Sequence, residues 1–488
     1  MVKQFHVFFF PMLAHGHMIP SLDIAKLFTS RGIKTTIITT PQNVTFFTKA
    51  VERATQLGQQ MSVRAIDFPV ARAGLPETCQ SLDQVQSEEM LHRFFRATVL
   101  LQPQLEQVMA ECRPNCLVAD MFFPWATESA AKFGIPRLVF HGISYFALVS
   151  SESLMLHKPQ LKVKSEVEPF VLPELPHEVK MTRMQLANHD KEEMEHSDFA
   201  KLLREIKQSE IDSFGVLVNS FYELEPDYAD HYRNVIGKRA WQIGPVCLYN
   251  RERSDKANRG KESSIDEHEC LKWLDSKKPN SVIYVSFGSL AEFTHSQLHE
   301  IAMGLESSGH HFIWVVRKSN SNGKELLPEG FDDRIKNRGL IIRGWAPQVL
   351  ILEHEAVGGF ITHCGWNSTL EGICAGLPMV TWPVMAEQFL NEILVTEILK
   401  TGVRSGARKC GITTAGEEVK REAVAMAVGK VMEGREAEEM RERARKLKEM
   451  AMNAIEEGGS SYNDFNSLLE ELINYHPSAL KKTTPVSN

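Results

Sequence analysis

The stretch His363-Cys364-Gly365-Trp366-Asn367-Ser368-Thr369-Leu370-Glu371-Gly372 decides how the chain is to be read. The apolar run Gly359–Thr362 before it reads as a strand, and Leu370, Ile373 and Cys374 after it fall at helical spacing. His363 to Ser368 therefore sits at a strand-to-helix turn. Free backbone N–H groups and the positive end of the helix dipole attract phosphate at such a turn. His363, Asn367 and Ser368 add side-chain donors, and Gly365 lets the backbone approach a ligand closely. Gly376-Leu377-Pro378 closes the helix and starts the next strand. Taken alone, a Gly/Ser/Asn turn before a helix also fits an ordinary capped helix.

Outward from that turn, short apolar runs alternate with helical-period segments, the pattern of α/β architecture with parallel sheets. In the second half the strand candidates are Ser281–Phe287, His311–Val316, Leu340–Arg343, Gly359–Thr362 and Met379–Trp382. In the first half they are Phe5–Phe10, Lys34–Thr39, Asn115–Ala119, Arg137–Phe140 and Val216–Asn219. A loop follows Phe10, then an apolar helical face through Leu22, Ala25 and Phe28 closed by Gly32, while Asp120 stands at the end of its own strand.

A chain of 488 residues exceeds one ordinary core. The boundary is placed near Gly244-Pro245, before a polar and charged stretch from Tyr249 to Ser264 that reads as an exposed linker. The predicted division is a first domain at 1–245, a linker at 246–268 and a second domain at 269–455. A helix at 456–476 would pack back on the first domain, and 477–488 would form a tail. From Glu417 to about Asn474 the chain reads as helical with a solvated charged face. The fold class is α/β, two Rossmann-like domains facing across a cleft, with ligands at the carboxyl ends of the strands.

Composition excludes several classes. Hydrophobic residues at 43% and charged residues at 24% describe a folded globular chain. A net charge of -7 gives no basic face for nucleic acid and no polybasic segment for anionic lipid. The opening Met1-Val2-Lys3-Gln4-Phe5-His6-Val7-Phe8-Phe9-Phe10 is too short for a signal core and reads as a buried strand. No later stretch approaches the ~18 apolar residues of a membrane span. Eight scattered cysteines form no CxxC pair, so reduced thiols and a cytoplasmic protein are expected; a monomer is expected as well. A glycan at the sequon Asn367-Ser368-Thr369 would block the phosphate-type turn.

The 44 residues from Trp345-Ala346-Pro347-Gln348 to Glu387-Gln388 closely resemble the signature box of the plant secondary-metabolite glycosyltransferases that use UDP-sugars. Gly16-His17-Met18-Ile19-Pro20 looks like that family's N-terminal catalytic loop. Val118-Ala119-Asp120 looks like its catalytic carboxylate strand, and Val285-Ser286-Phe287-Gly288-Ser289 like its phosphate-facing loop. The resemblance is strongest to members acting on flavonoids, other phenolics and triterpenoid aglycones.

The resemblance implies a GT-B fold and an inverting transfer of glucose from UDP-glucose to an acceptor hydroxyl, without a metal or other cofactor. It implies that Trp345 stacks on uracil, that Ala346 and Gln348 bond the base edge, and that Glu371 takes the ribose hydroxyls. Ser289, His363, Asn367 and Ser368 would hold the diphosphate, neutral donors suited to a leaving group that gains charge. Glu387 and Gln388 would bind the sugar hydroxyls, and Trp366 would contact the sugar through backbone or ring. Glutamine at the last box position goes with glucose in this family.

His15 and His17 flank Gly16. As a bare pattern His-x-His could edge a metal site or be structural, but no further ligand cluster follows. The family pattern selects His17 as general base. Its unperturbed pKa near ~6.5 leaves it able to accept a proton. Asp120 would take the other ring N–H and stabilise the imidazolium.

Acceptor-wall candidates are Met121, Phe122, Phe123, Trp125, Tyr145, Phe146, Met181 and Met184, with His141 able to touch sugar or acceptor. The polar stretch from His157 to Ser197, with little periodicity, is expected to carry specificity. A nicotinamide dehydrogenase would need Gly-x-Gly-x-x-Gly where the chain has Ala14-His15-Gly16-His17. A non-catalytic nucleotide-sugar binder would be favoured by loss of His17, Asp120, Glu387 or Gln388, and all four are present.

Overall fold

Each half of the chain closes on its own parallel sheet. The computed structural model describes residues 4–191, 198–317, 327–411 and 418–476. The tail expected at 477–488, Glu417 and Ser197 lie outside the described residues.

In the first half, β1 (His6–Phe10), β2 (Lys34–Thr39), β3 (Met61–Ala65), β4 (Cys116–Asp120) and β5 (Arg137–Phe140) precede a small antiparallel hairpin. The hairpin is β6 (Pro169–Leu172) and β7 (Val179–Thr182), and β8 (Gly215–Val218) and β9 (Ala240–Gln242) follow. The main sheet runs β3-β2-β1-β4-β5-β8-β9, parallel throughout. In the second half are β10 (Val282–Ser286), β11 (His311–Val316), β12 (Gly339–Arg343), β13 (Val357–Thr362), β14 (Met379–Thr381) and β15 (Gly402–Arg404). They run β12-β11-β10-β13-β14-β15, again parallel.

The central strands β1, β4, β10 and β13 are buried along their whole length, as strands covered on both faces must be. Their sequences are accordingly near-continuous apolar runs, which is why they were readable. Short edge strands β3, β9 and β15 lie where no strand was expected. At three to five residues, and with Arg64 and Ala65 of β3 exposed, they carry little apolar signal. The β6–β7 hairpin falls inside the stretch read as lacking periodicity. Phe170, Leu172, Val179 and Met181 alternate inward there, but over only four residues per strand.

Two further readings are corrected. The loop expected after β1 is short: a helix begins at His15 and runs to Ser30, so His17 stands in its first turn. The linker is not simply exposed. It contains a helix at Arg253–Ala257, and its Arg259 side chain is 8% exposed.

The two halves are tied by buried contacts. Trp366 Nε1 donates to the Asn219 carbonyl at 2.8 Å, and Cys247 Sγ lies 3.8 Å from Cys374 Sγ. The helix Ser460–Ile473 crosses to β9 of the first sheet. There Phe465 packs edge-on to Phe28 at 4.9 Å, Asp464 accepts from the Gln242 N–H at 3.0 Å and pairs with Arg233, and Ser461 donates to the Gly244 carbonyl at 2.5 Å. Among the described residues no helix is long and apolar enough to cross a membrane.

Because Phe465 is fully buried against Phe28, Phe465→Ala should cost about 3–5 kcal/mol. Denaturant unfolding should show the loss as a lower midpoint.

Candidate active site

In each sheet the chain runs outward from one central strand and then returns to its other side: β1 lies between β2 and β4, β10 between β11 and β13. Connections leave in opposite directions there, opening a crevice at the carboxyl ends of the strands. The first turn of the helix after β1 delivers His17 to this crevice, and β4 delivers Asp120.

His17 Nδ1 lies 2.6 Å from Asp120 Oδ2, with Asp120 buried and His17 partly open. The second Asp120 oxygen accepts from the Phe122 N–H at 3.1 Å, and its backbone carbonyl accepts from Arg137 Nη2 at 2.9 Å. Arg137 is itself buried and donates to Thr127 Oγ1 at 2.6 Å and Ser209 Oγ at 3.2 Å. Burial pulls its pKa to about 9, against the pull of Asp120 and Glu210. Burial also pulls the His17 imidazolium down, but the Asp120 and Glu387 carboxylates outweigh it and leave the pKa above the ordinary value.

Across the crevice, β10 delivers Gly288-Ser289 and β13 delivers His363 and the helix Trp366–Ala375. His363 is wedged between two glycines. A Cβ on Gly288 would sit 2.5 Å from His363 Nε2 and one on Gly365 2.4 Å from it, so neither place admits a side chain. Gly288 also has φ +72°. Burial lowers the His363 pKa to about 4, so the ring is neutral, and its buried Nδ1 has no partner among the described residues. Asn367 Nδ2 reaches over the crevice to the Gly16 carbonyl at 2.6 Å, while its buried Oδ1 has no partner among the described residues. The phosphate-type turn thus abuts the loop that carries the histidine.

Glu387 stands near enough to His17 for each charge to favour the other. Burial pushes its pKa up, opposed by hydrogen bonds from the Trp366 N–H and from Asn391 Nδ2 at 3.3 Å. The Gln388 carbonyl accepts from the Val384 and Met385 N–H groups at 2.8 and 3.0 Å, which fixes the orientation of its amide.

On the outer side, Gln348 Nε2 donates to Ser368 Oγ at 2.9 Å and Glu371 Oε2 at 2.7 Å, next to the buried Ala346. Trp345 has the His15 ring 5.7 Å away. Glu371 also pairs with Arg259 of the linker, a partner that no local pattern pointed to.

Several expectations change. The Trp366 ring is 2% exposed and spent on Asn219, so it is not free to line the crevice, and its backbone N–H bonds Glu387. Tyr145 is fully buried: its helix, Tyr145–His157, starts at this residue and turns it against Tyr232. Phe123, Trp125, Phe146 and Met181 are core as well. His141 is buried, with Nε2 2.8 Å from Glu210 and Nδ1 3.0 Å from Met121 Sδ. His141 and Lys238 hold the Glu210 carboxyl well below the usual range despite its burial.

Met121, Phe122 and Met184 remain partly open, and the Phe122 ring lies 5.8 Å from His17. The aromatic row continues through Phe95, 5.2 Å from Phe122, to Phe199, 5.9 Å further. Phe95 and Phe199 escaped the sequence reading because each sits on a helix distant in sequence from Asp120.

Comparison with known proteins agrees with this layout. The family model described as UDP-glucoronosyl and UDP-glucosyl transferase matches residues 19–439. The chain is 58% identical over 472 residues to a scopoletin glucosyltransferase of Nicotiana tabacum, covering 97% of this chain and 98% of the relative. It is 54% identical over 479 residues to an anthocyanin 3'-O-beta-glucosyltransferase of Gentiana triflora, covering 97% and 99%. The crystal structure of Glycyrrhiza uralensis UGT73P12 complexed with glycyrrhetinic acid 3-O-monoglucuronide superposes with a TM-score of 0.90. It is 42% identical, over 98% of this chain and 96% of that one. With two facing parallel-sheet domains and a match running through most of its length, the chain belongs to the UDP-glucosyl and UDP-glucuronosyl transferase family and is a UDP-glycosyltransferase of the GT-B fold.

Proposed function

We propose that the enzyme transfers glucose from UDP-glucose, with inversion, to a hydroxyl of a flat or bulky lipophilic plant metabolite. The observation that carries this reading is the His17–Asp120 pair at 2.6 Å, set against a phosphate-type turn whose Asn367 touches Gly16 at 2.6 Å. A base and a leaving-group cradle on opposite lips of one crevice suit a single displacement.

In this reading Asp120 accepts the Nδ1–H of His17, which leaves Nε2 free to take the acceptor proton. The acceptor oxygen then attacks the anomeric carbon of a sugar held by Glu387 and the Gln388 amide, beside the Trp366 backbone. UDP leaves from the opposite face, so an α-linked donor yields a β-glucoside. As negative charge grows on the diphosphate, Ser289, neutral His363, Asn367, Ser368 and the helix N-terminus meet it. UDP-glucose is the co-substrate, with no resident metal or cofactor in the scheme. Trp345 receives uracil, Ala346 and Gln348 the base edge, and Glu371 the ribose.

The acceptor lies along Met121, Phe122, Phe95 and Phe199. Such a wall suits phenolics, flavonoids and triterpenoid aglycones, classes that the names of the relatives also span. A phenol, with a pKa near ~10, gives up its proton more readily than an alcohol. The eight cysteines are unbonded, in keeping with a cytoplasmic enzyme; we take the enzyme to act as a monomer.

Incubated with UDP-glucose and a mixed panel of these acceptors, the protein should yield products heavier by one hexosyl unit in mass spectrometry. His17→Ala should lower turnover at least about 100-fold while UDP still binds. Near-normal turnover would remove the base assignment. Since Asp120 helps to raise the His17 pKa, kcat/KM should fall as pH drops through a value above ~6.5. Asp120→Asn should move that fall to lower pH and depress the plateau; an unmoved profile would argue against the pair. Gln388→His should weaken the preference for UDP-glucose in donor competition, and an unaltered profile would place donor selection elsewhere.

A further inference from the structure

The linker turn around Arg259 enters the crevice from outside both sheets. Arg259 Nη1 pairs with Glu371 Oε1, and Arg259 Nε lies 2.7 Å from Asp23 Oδ2. Glu371 is 6% exposed and Asp23 1%. A carboxylate buried so deeply is stable only with partners, and this one guanidinium serves both, beside Gln348 Nε2 on Glu371 at 2.7 Å and Asn250 Nδ2 on Asp23 at 2.8 Å.

Next to it, Gly260 has φ +105° and lies against the Nε1 side of the Trp345 indole. A Cβ there would be 2.3 Å from Cζ2, so only glycine fits. The linker also grips the Trp345 backbone from both sides: Ser264 N–H donates to the Trp345 carbonyl at 2.8 Å, and the Trp345 N–H to Ser264 Oγ at 3.0 Å. Outside, Asn258 and Lys261 anchor the turn to Lys49 and Asp83 of the first domain at 2.9 and 3.0 Å.

Resting on the donor-site reading given above, we propose that the Arg259-Gly260 turn is a built-in competitor for the uridine subsite, which UDP or a UDP-sugar must displace from Glu371 and Trp345 in order to bind. The ribose hydroxyls and the guanidinium call on the same carboxylate, and uracil and Gly260 on the same indole, so the two occupancies exclude each other. A cavity of about 1090 Å³ between the linker and the helix Val44–Gln56 gives the displaced turn somewhere to go. Apparent donor affinity is then the intrinsic affinity reduced by the fraction of molecules in which the turn is out. UDP is affected as the donor is, so the turn also favours product release. Its return re-forms the pairing that keeps Asp23 and Glu371 satisfied in the empty enzyme.

Hydrogen exchange of the full-length wild-type protein, with and without saturating UDP, tests this directly. Backbone amides of residues 258–265 should exchange faster with UDP bound; equal or greater protection would overturn the proposal. By calorimetry, Arg259→Gln should bind UDP about tenfold more tightly, as expected if the turn is out in about one molecule in ten. KM for UDP-glucose should fall in parallel. Weaker UDP binding would make Arg259 a ligand of the nucleotide and end the competitor reading. Glu371→Gln separates the two levels of the argument: it should weaken UDP binding, and if it does not, the nucleotide site itself is misplaced. The wild-type exchange measurement needs no variant to fold.

Discussion

A parallel sheet whose strand order reverses at its centre has one place where backbone parts and a ligand can enter, and this chain has two such sheets mouth to mouth. The rest of the site follows from that constraint. The β1 and β4 ends place His17 and its partner Asp120. The β10 and β13 ends place glycines, a neutral histidine and a helix N-terminus. Asn367 bonded to the Gly16 carbonyl fixes the distance between the lips. Trp366, spent on Asn219, and the returning helix Ser460–Ile473 keep the two sheets in register.

The electrostatics divide along the same line. On the first lip, carboxylates outweigh burial and make His17 a stronger base than an isolated imidazole. On the second, burial without a carboxylate drives His363 to about 4 and keeps it a neutral donor. Two histidines within one crevice are thus shifted in opposite directions by what surrounds them. Arg137 extends the first arrangement inward: its guanidinium bonds the Asp120 carbonyl and two hydroxyls, locking the strand end that presents the carboxylate.

Much of this was legible because parallel strands buried on both faces must be written as apolar runs, and a strand-to-helix turn rich in donors stands out against them. His17, Asp120, His363 and Glu387 could be named from local pattern and family resemblance, and the structure brings all four to the crevice. What escaped depends on distance in sequence. Arg137 looks like an ordinary charged residue opening a strand, and only the fold reveals that it is buried under Asp120. Arg259 sits in a stretch whose composition reads as solvated linker, and no local signal marks a guanidinium destined for two buried carboxylates. Tyr145 misled in the other direction. Aromatic and just past a strand end, it suggested a pocket wall, but Ser144 and Glu225 cap its helix and turn it into the core.

The central claim is that His17, oriented by Asp120, removes the acceptor proton as the bond to the sugar forms. The most direct measurement compares kcat/KM of wild type and His17→Ala over a series of substituted phenols of falling pKa, with UDP-glucose as donor. If His17 is the base, the deficit of the variant should shrink steadily toward the most acidic phenols, which arrive already ionised. A deficit that stays constant across the series would mean that His17 serves position alone, and would contradict the account.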